Sequence, residues 1–196
     1  LLFGEVNPSG KLAESFPLEL KDTPSAAYFP GNEKTVEYRE SLFVGYRYYD
    51  TAKVDVLFPF GFGLSYTTFA YSDLTLTNTG ETVQVELTVE NTGDMAGAET
   101  EQCYVSKENS AVLRPEKELK GFAKVFLQPG EQKTVSLSLD SRAFSYYSVE
   151  EKAWVIESGE YTVSLASSSR DIRQSDTVTM VGKDISSQAL PEDYQN

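Results

Sequence analysis

The residues of this chain that could do chemistry are carboxylates, one thiol and a serine-rich turn. Glu99 and Glu101 stand two apart in GAETEQCYV, Glu116 and Glu118 two apart in RPEKELK, and Glu150 and Glu151 are adjacent. Two carboxyl groups facing one bond could act as general acid/base and nucleophile, given a pocket and one raised pKa. Glu99 and Glu101 share one strand face by alternation. Nothing apolar is built around any of the three pairs, so each is expected to be solvated. Cys103 is the single cysteine. It sits in a strand-like segment and is expected to be a small buried hydrophobe rather than a nucleophile. One cysteine excludes an intrachain disulfide. There is no histidine, which removes Ser-His and Cys-His pairs and every His-ligated metal site. SSSRDIR at 167–173 lacks the glycines and the helix of a phosphate cradle. It is expected to be a tight turn between the last two strands, with Asp171 bonding the backbone. No catalytic, cofactor-binding or metal-ligating residue is assigned, and no cofactor is expected.

The 196 residues suffice for one good core. The formal net charge of −13, from 17 basic and 30 acidic residues, makes a nucleic-acid partner unexpected. The acidity itself reads as solubility. No run approaches the roughly 20 apolar residues that span a bilayer, so no membrane partner is expected. The opening LLFG resembles the end of a helix entering a turn, so the chain is expected to start inside a longer parent. The one Asn-x-Ser/Thr triplet, Asn7-Pro8-Ser9, is blocked by its proline, which slightly favours a bacterial cytoplasmic parent over a secreted one.

The elements that must position these residues fall into two regions. From Phe69 onward, short alternating segments recur with turns between them. They are 69–78, 82–91, 98–106, 118–128, 132–140, 151–157, 160–168 and 175–181. Val83, Val85, Leu87 and Val89 alternate inward against Thr, Gln and Glu. Turns fall at NTGE, NTGDMAG, the PGE of 129–131 and SG at 158–159. Seven or eight strands at such spacing predict an antiparallel β-sandwich over 69–182. RAFSYYS at 142–148 is the best candidate for a helical turn. Tyr104, Phe122, Phe126, Trp154 and Tyr161 are all plausible core rings.

Residues 1–68 are irregular, with turn clusters at NPSG and YFPGNEK. VEYRESLFVGYRYY at 36–49 is rich in β-branched and aromatic residues, consistent with a strand. The stretch from Glu40 to Tyr71 carries ten aromatics, Phe43, Tyr46, Tyr48, Tyr49, Phe58, Phe60, Phe62, Tyr66, Phe69 and Tyr71. That ring area must lie against something. A sugar-binding platform would expose the rings, whereas an interdomain joint would bury them. The density of rings and the interleaved Pro59, Gly61 and Gly63 favour a joint of Phe43, Tyr46, Arg47, Tyr48, Tyr49, Phe58, Phe60, Phe62 and Tyr66. Arg47 is expected to pair with a carboxylate or stack between rings.

Several runs resemble family 3 glycoside hydrolases, the β-glucosidases and their relatives. LFGEVNPSGKLAESFP is similar to the family's run leaving its α/β sandwich domain. YRESLFVGYRYYD and LFPFGFGLSYTTFAYSDL match its connector. RPEKELKGFAKVFLQPGEQKTVSLSLD and SGEYTVSLASSSRDIR match its fibronectin-III-like domain. The resemblance implies a mainly β chain: residues 1–68 as the tail of the α/β sandwich domain plus connector, 69–182 as a fibronectin-III-like (immunoglobulin-like) sandwich, and 183–196 as a tail or linker. It implies a parent that removes terminal non-reducing β-D-glucosyl residues with retention. In the family the nucleophilic aspartate lies on a barrel domain and the acid/base glutamate on the α/β sandwich domain, upstream of NPSGKL. Neither motif is in these residues, so this chain alone is expected to be inactive and to brace the catalytic domains. The expected partner is the rest of the parent enzyme, with β-glucoside met only through it, and a homo-oligomer is possible. A free-standing carbohydrate- or protein-binding module is the alternative.

Overall fold

The computed structural model describes residues 1–185 except Glu33 and Glu81. A small antiparallel ladder, β1 (Phe16–Pro17) with β2 (Val56–Phe58), and a short helix α1 (Tyr46–Thr51) organise the first region. The sandwich strands are β3 (Phe69–Asn78), β4 (Thr82–Asn91), β5 (Gly97–Ser106), β6 (Glu118–Leu127) and β7 (Gln132–Asp140). A helical turn α2 (Ser141–Phe144) leads to a hairpin, β8 (Ser145–Ser148) with β9 (Ala153–Ile156). β10 (Gly159–Ser168) and β11 (Asp171–Met180) complete the set. One sheet has the order β11-β10-β5-β6 and the other β3-β4-β7. Every named strand pairing is antiparallel.

Alternation builds the core. On β4, Val83, Val85, Leu87 and Val89 are each 0–1% exposed. Val83 stands opposite Leu139, Val85 opposite Leu137 and Leu87 opposite Val135 on β7. From the other sheet come Cys103, Val105, Val163 and Leu165, with Phe144 and Tyr161 edge-on at 5.4 Å. Burial pushes the Cys103 thiol up to about 12, so it is a core hydrophobe, as expected. The β6–β7 turn uses Gly130 at φ +73°, while the Gln128 N–H donates to Glu131 Oε2 at 2.7 Å. Asp140 caps α2 by accepting the Arg142 N–H at 2.9 Å.

The structure departs from the expectations at several points. Residues 36–45 form no strand, and α1 begins at Tyr46. Its buried residues Tyr46, Tyr49 and Asp50 follow the helical i, i+3, i+4 spacing, so tertiary packing overrides the β preference of the rings. The strand expected at 151–157 pairs with β8 in a separate hairpin, outside both sandwich sheets. β11 begins at Asp171, four residues earlier than expected. Phe122, Phe126 and Trp154 are not core rings, being 66%, 54% and 48% exposed. Phe122 and Phe126 alternate with the inward Ala123 and Val125 and so lie on the outer face of β6. Trp154 rides on the hairpin, its ring covered by the Arg142 guanidinium at 3.6 Å and edged by Tyr147. Asp171 bonds side chains, accepting from Ser167 and Arg173. Ser168 Oγ takes the backbone N–H groups of Arg170 and Asp171.

Glu99 and Glu101 are not solvated, at 6% and 0% exposed. They share the inner face of β5 with Cys103 and Val105 and point into the sandwich. Glu116, Glu150 and Glu151 are exposed, as expected of solvated carboxylates, whereas Glu118 is half-buried among Arg47, Arg114 and Lys120. Of the expected tail, 186–196 lies outside the described residues; the Lys183 N–H donates to Ile156 O at 2.8 Å.

Candidate interdomain joint

Segment 1–68 lies on the outer face of the four-stranded sheet. The contact starts from Tyr104, whose ring leaves β5 on that face and is fully buried. Tyr46 of α1 meets it edge-on at 5.9 Å, and Phe60 stacks on Tyr46 at 4.7 Å. Ala166 and Leu119 close the cluster. The Tyr46 hydroxyl accepts the Leu119 N–H at 2.8 Å. Burial above all raises the pKa of Tyr46 and of Tyr104.

Backbone contacts fix the FPFGFG turn. The Ser169 N–H donates to Phe60 O at 2.9 Å, and Gly61 and Phe62 exchange bonds with Leu12 at 2.8 Å. Gln102 Nε2 donates to Gly61 O at 3.2 Å and to Ser167 O at 2.8 Å, while its Oε1 accepts the Tyr104 hydroxyl at 2.7 Å. Gly61 has φ +79°, and a Cβ there would fall inside the Gln102 amide. Glycine is required on both counts.

A charged latch lies beside the rings. Asp50, 5% exposed, receives Arg170 Nε at 2.7 Å and Lys117 Nζ at 3.2 Å. Arg170 also donates to Val54 O at 2.7 Å and Tyr49 O at 3.3 Å. Lys53 pairs with Glu116, whose N–H donates to Thr51 Oγ1 at 2.9 Å. At the other end Lys11 Nζ reaches Glu99 at 3.0 Å and Ser167 O at 3.2 Å, and Lys124 Nζ holds Ser9.

The expected joint residues divide into groups. Tyr46, Tyr49 and Phe60 lie among these sandwich contacts. Arg47 comes within 3.8 Å of Glu118 and 5.8 Å of the Tyr46 ring centre, so it both pairs and sits over a ring. Phe58, Phe62 and Phe16 form a second ring group, with Phe58 and Phe62 stacked at 5.1 Å. Tyr48 packs on Tyr49 at 5.3 Å. Phe43 is half-buried and lines one cleft with Tyr48. Tyr66 is exposed, its hydroxyl donating to Leu1 O at 3.0 Å. Sequence reasoning missed Arg170, Asp50, Gln102 and Lys11. The Asp after YRYY and the Arg inside SSSR carried no spacing that linked them.

Chemically, the arrangement holds elements together. Among the described residues there is no cluster of His, Cys, Asp or Glu able to hold a metal. The cleft of about 470 Å³ beside Lys11, Tyr71, Glu99 and Arg173 has its lining charges already tied to one another.

A fibronectin type III-like domain family matches residues 99–169. Thermostable beta-glucosidase B of Acetivibrio thermocellus is 56% identical over 176 residues, 88% of this chain and 23% of that protein. Exo-alpha-(1->6)-L-arabinopyranosidase of Bifidobacterium breve is 51% identical over 183 residues, 93% of this chain and 24% of that protein. The crystal structure of a GH3 beta-glucosidase of Bifidobacterium adolescentis superposes with a TM-score of 0.90 at 48% identity, covering 100% of this chain and 29% of that one. The chain therefore spans about a quarter of the relatives that it matches. Over almost its whole length the chain is thus similar to one part of family 3 glycoside hydrolases, and that part carries a fibronectin type III-like domain.

Proposed function

We propose that this chain is the brace of a β-glucosidase-type retaining glycosidase. The parent hydrolyses terminal non-reducing β-D-glucosyl residues. Residues 1–68 are the tail of its α/β sandwich domain plus the connector, and 69–182 are the fibronectin-III-like domain. The rings of 43–66 form the joint between them. One observation carries this reading. Of the 24 large apolar side chains exposed among the described residues, 16 lie in 1–68, and these include Leu2, Phe3, Leu20, Phe29 and Tyr38. The segment is thus two-sided, with one side locked to the sandwich and the other apolar and bare. A bare apolar side of that extent belongs against another domain. Bracing holds active-site loops in register without supplying a catalytic group.

The relatives support a structural role in a second way. A beta-glucosidase and an arabinopyranosidase match this chain almost equally well, so the sugar is chosen elsewhere in the parent. A free-standing carbohydrate- or protein-binding module finds support in the exposed Phe122 and Phe126. Lys124 between them, however, holds Ser9, so the two rings flank a contact with segment 1–68.

The test is an assay of the purified chain and of the parent on an aryl β-glucoside. The parent turns over and the chain alone does not. Turnover by the chain, abolished by replacing a carboxylate within it, overturns the reading.

A further inference from the structure

Glu101 has no part in the joint, yet it is the most unusual side chain in the sandwich. It lies on the inner face of β5 opposite Ala123 of β6, at 0% exposure. Neither carboxylate oxygen has a hydrogen-bond partner among the described residues. An unpaired carboxylate in an apolar interior is costly enough that the group takes a proton instead.

The surroundings offer no counter-charge. On the same strand face stands Glu99, itself a carboxylate. The Tyr71 hydroxyl, from β3, donates to Glu99 Oε1 at 3.0 Å, and Lys11 Nζ lies at 3.0 Å from the same oxygen. Arg173 of β11 sits 5.9 Å from the Tyr71 ring centre and pairs with Asp171. Both cations are thus committed elsewhere. Residues two apart on a strand are separated by roughly 7 Å, so Lys11 does not serve Glu101 as it serves Glu99. The β4, β7 and β10 strands contribute Leu87, Val89, Leu137, Val163 and Leu165 to the interior.

We propose that Glu101 makes the sandwich a proton-dependent fold: the folded domain holds Glu101 as the neutral acid, and the domain weakens as pH rises from acid toward neutrality. Burial first, and then the charge of Glu99, push the Glu101 carboxyl from 4.5 up to about 7, while its own backbone amide pulls the other way. Between these two values the folded chain carries a proton that the unfolded chain has lost. The contribution is therefore complete below about 4.5 and gone above about 7. Glu99 anchors Lys11 of segment 1–68, so charge appearing beside it also bears on that tie.

Urea unfolding of the full chain at pH 5 and pH 8 tests this, comparing the wild type with Glu101→Gln and Glu101→Leu. The difference between wild type and variant isolates Glu101 from all other titrating groups. The wild-type folding constant should fall roughly 70-fold more than either variant's across that interval. A fall within threefold of the variants' overturns the proposal. A second measurement needs no variant. Carboxyl ¹³C titration of the wild type, with Glu101 assigned through the backbone, should give a midpoint near 7, and a midpoint near the ordinary 4.5 overturns it.

Discussion

Phe60→Ala is the sharpest perturbation of the contact between the connector and the sandwich. The ring stacks on Tyr46 at 4.7 Å within the cluster of Tyr104, Ala166 and Leu119. Its backbone bonds, the N–H to Ser15 Oγ at 3.2 Å and the carbonyl from Ser169 at 2.9 Å, survive the change. The loss is therefore one of packing. Emptying a fully buried Phe site costs about 3–5 kcal/mol, and a stacked pair adds about 0.5–1.5 kcal/mol beyond its area. Phe60 is half-buried, so about 2–3 kcal/mol is expected for the contact. At this chain length that lowers Tm by roughly 5–10 °C. Calorimetry of the chain reads the shift, amide exchange at Gly61, Leu12 and Ser169 localises it, and in the longer parent the same loss moves Tm by less. Activity should fall with stability while the catalytic groups stay untouched. An unchanged Tm together with weakened sugar binding would refute the joint and put a sugar platform in its place.

Three further outcomes follow from the same geometry. Arg170→Ala strips the buried Asp50 of one of its two cations and frees two carbonyls. It should cost about 2–4 kcal/mol in chemical unfolding, and a loss under 0.5 kcal/mol would show that the latch is idle. Gly61→Ala combines a left-handed φ with intrusion into Gln102, so a loss of about 2–4 kcal/mol is expected by the same assay. Paired Leu20→Ser and Phe29→Ser changes should reduce self-association of the chain alone in light scattering, because both side chains are bare. Unaltered scattering would mean that this side is not the sticky one.

Much of this architecture is legible in the sequence, because period-2 alternation and Asn-Thr-Gly or Pro-Gly turns act locally. The strands of 69–78, 82–91 and 132–140 are found where alternation puts them. The strand expected at 36–49 fails at its end because Tyr46 and Asp50 both have side-chain partners on the sandwich, and a helix presents this i, i+4 pair on one face. Glu101 is legible in the sequence. Alternation puts 99, 101, 103 and 105 on one face, and Cys103 reads as core. Extending that face backward places Glu101 inside, against the general preference of glutamate for water. The Asp50–Arg170 latch was out of reach, since it joins residues 120 positions apart that no periodicity connects.

The bare side of residues 1–68 is expected to lie against the rest of a larger enzyme. Hydrogen–deuterium exchange of the chain alone and of the intact parent tests it most directly. Peptides containing Leu20, Phe29 and Tyr38 should exchange roughly tenfold or more slowly in the parent, with the sandwich core strands unchanged. Equal exchange in the two would contradict the account, for it would leave that apolar side uncovered and the chain bracing nothing.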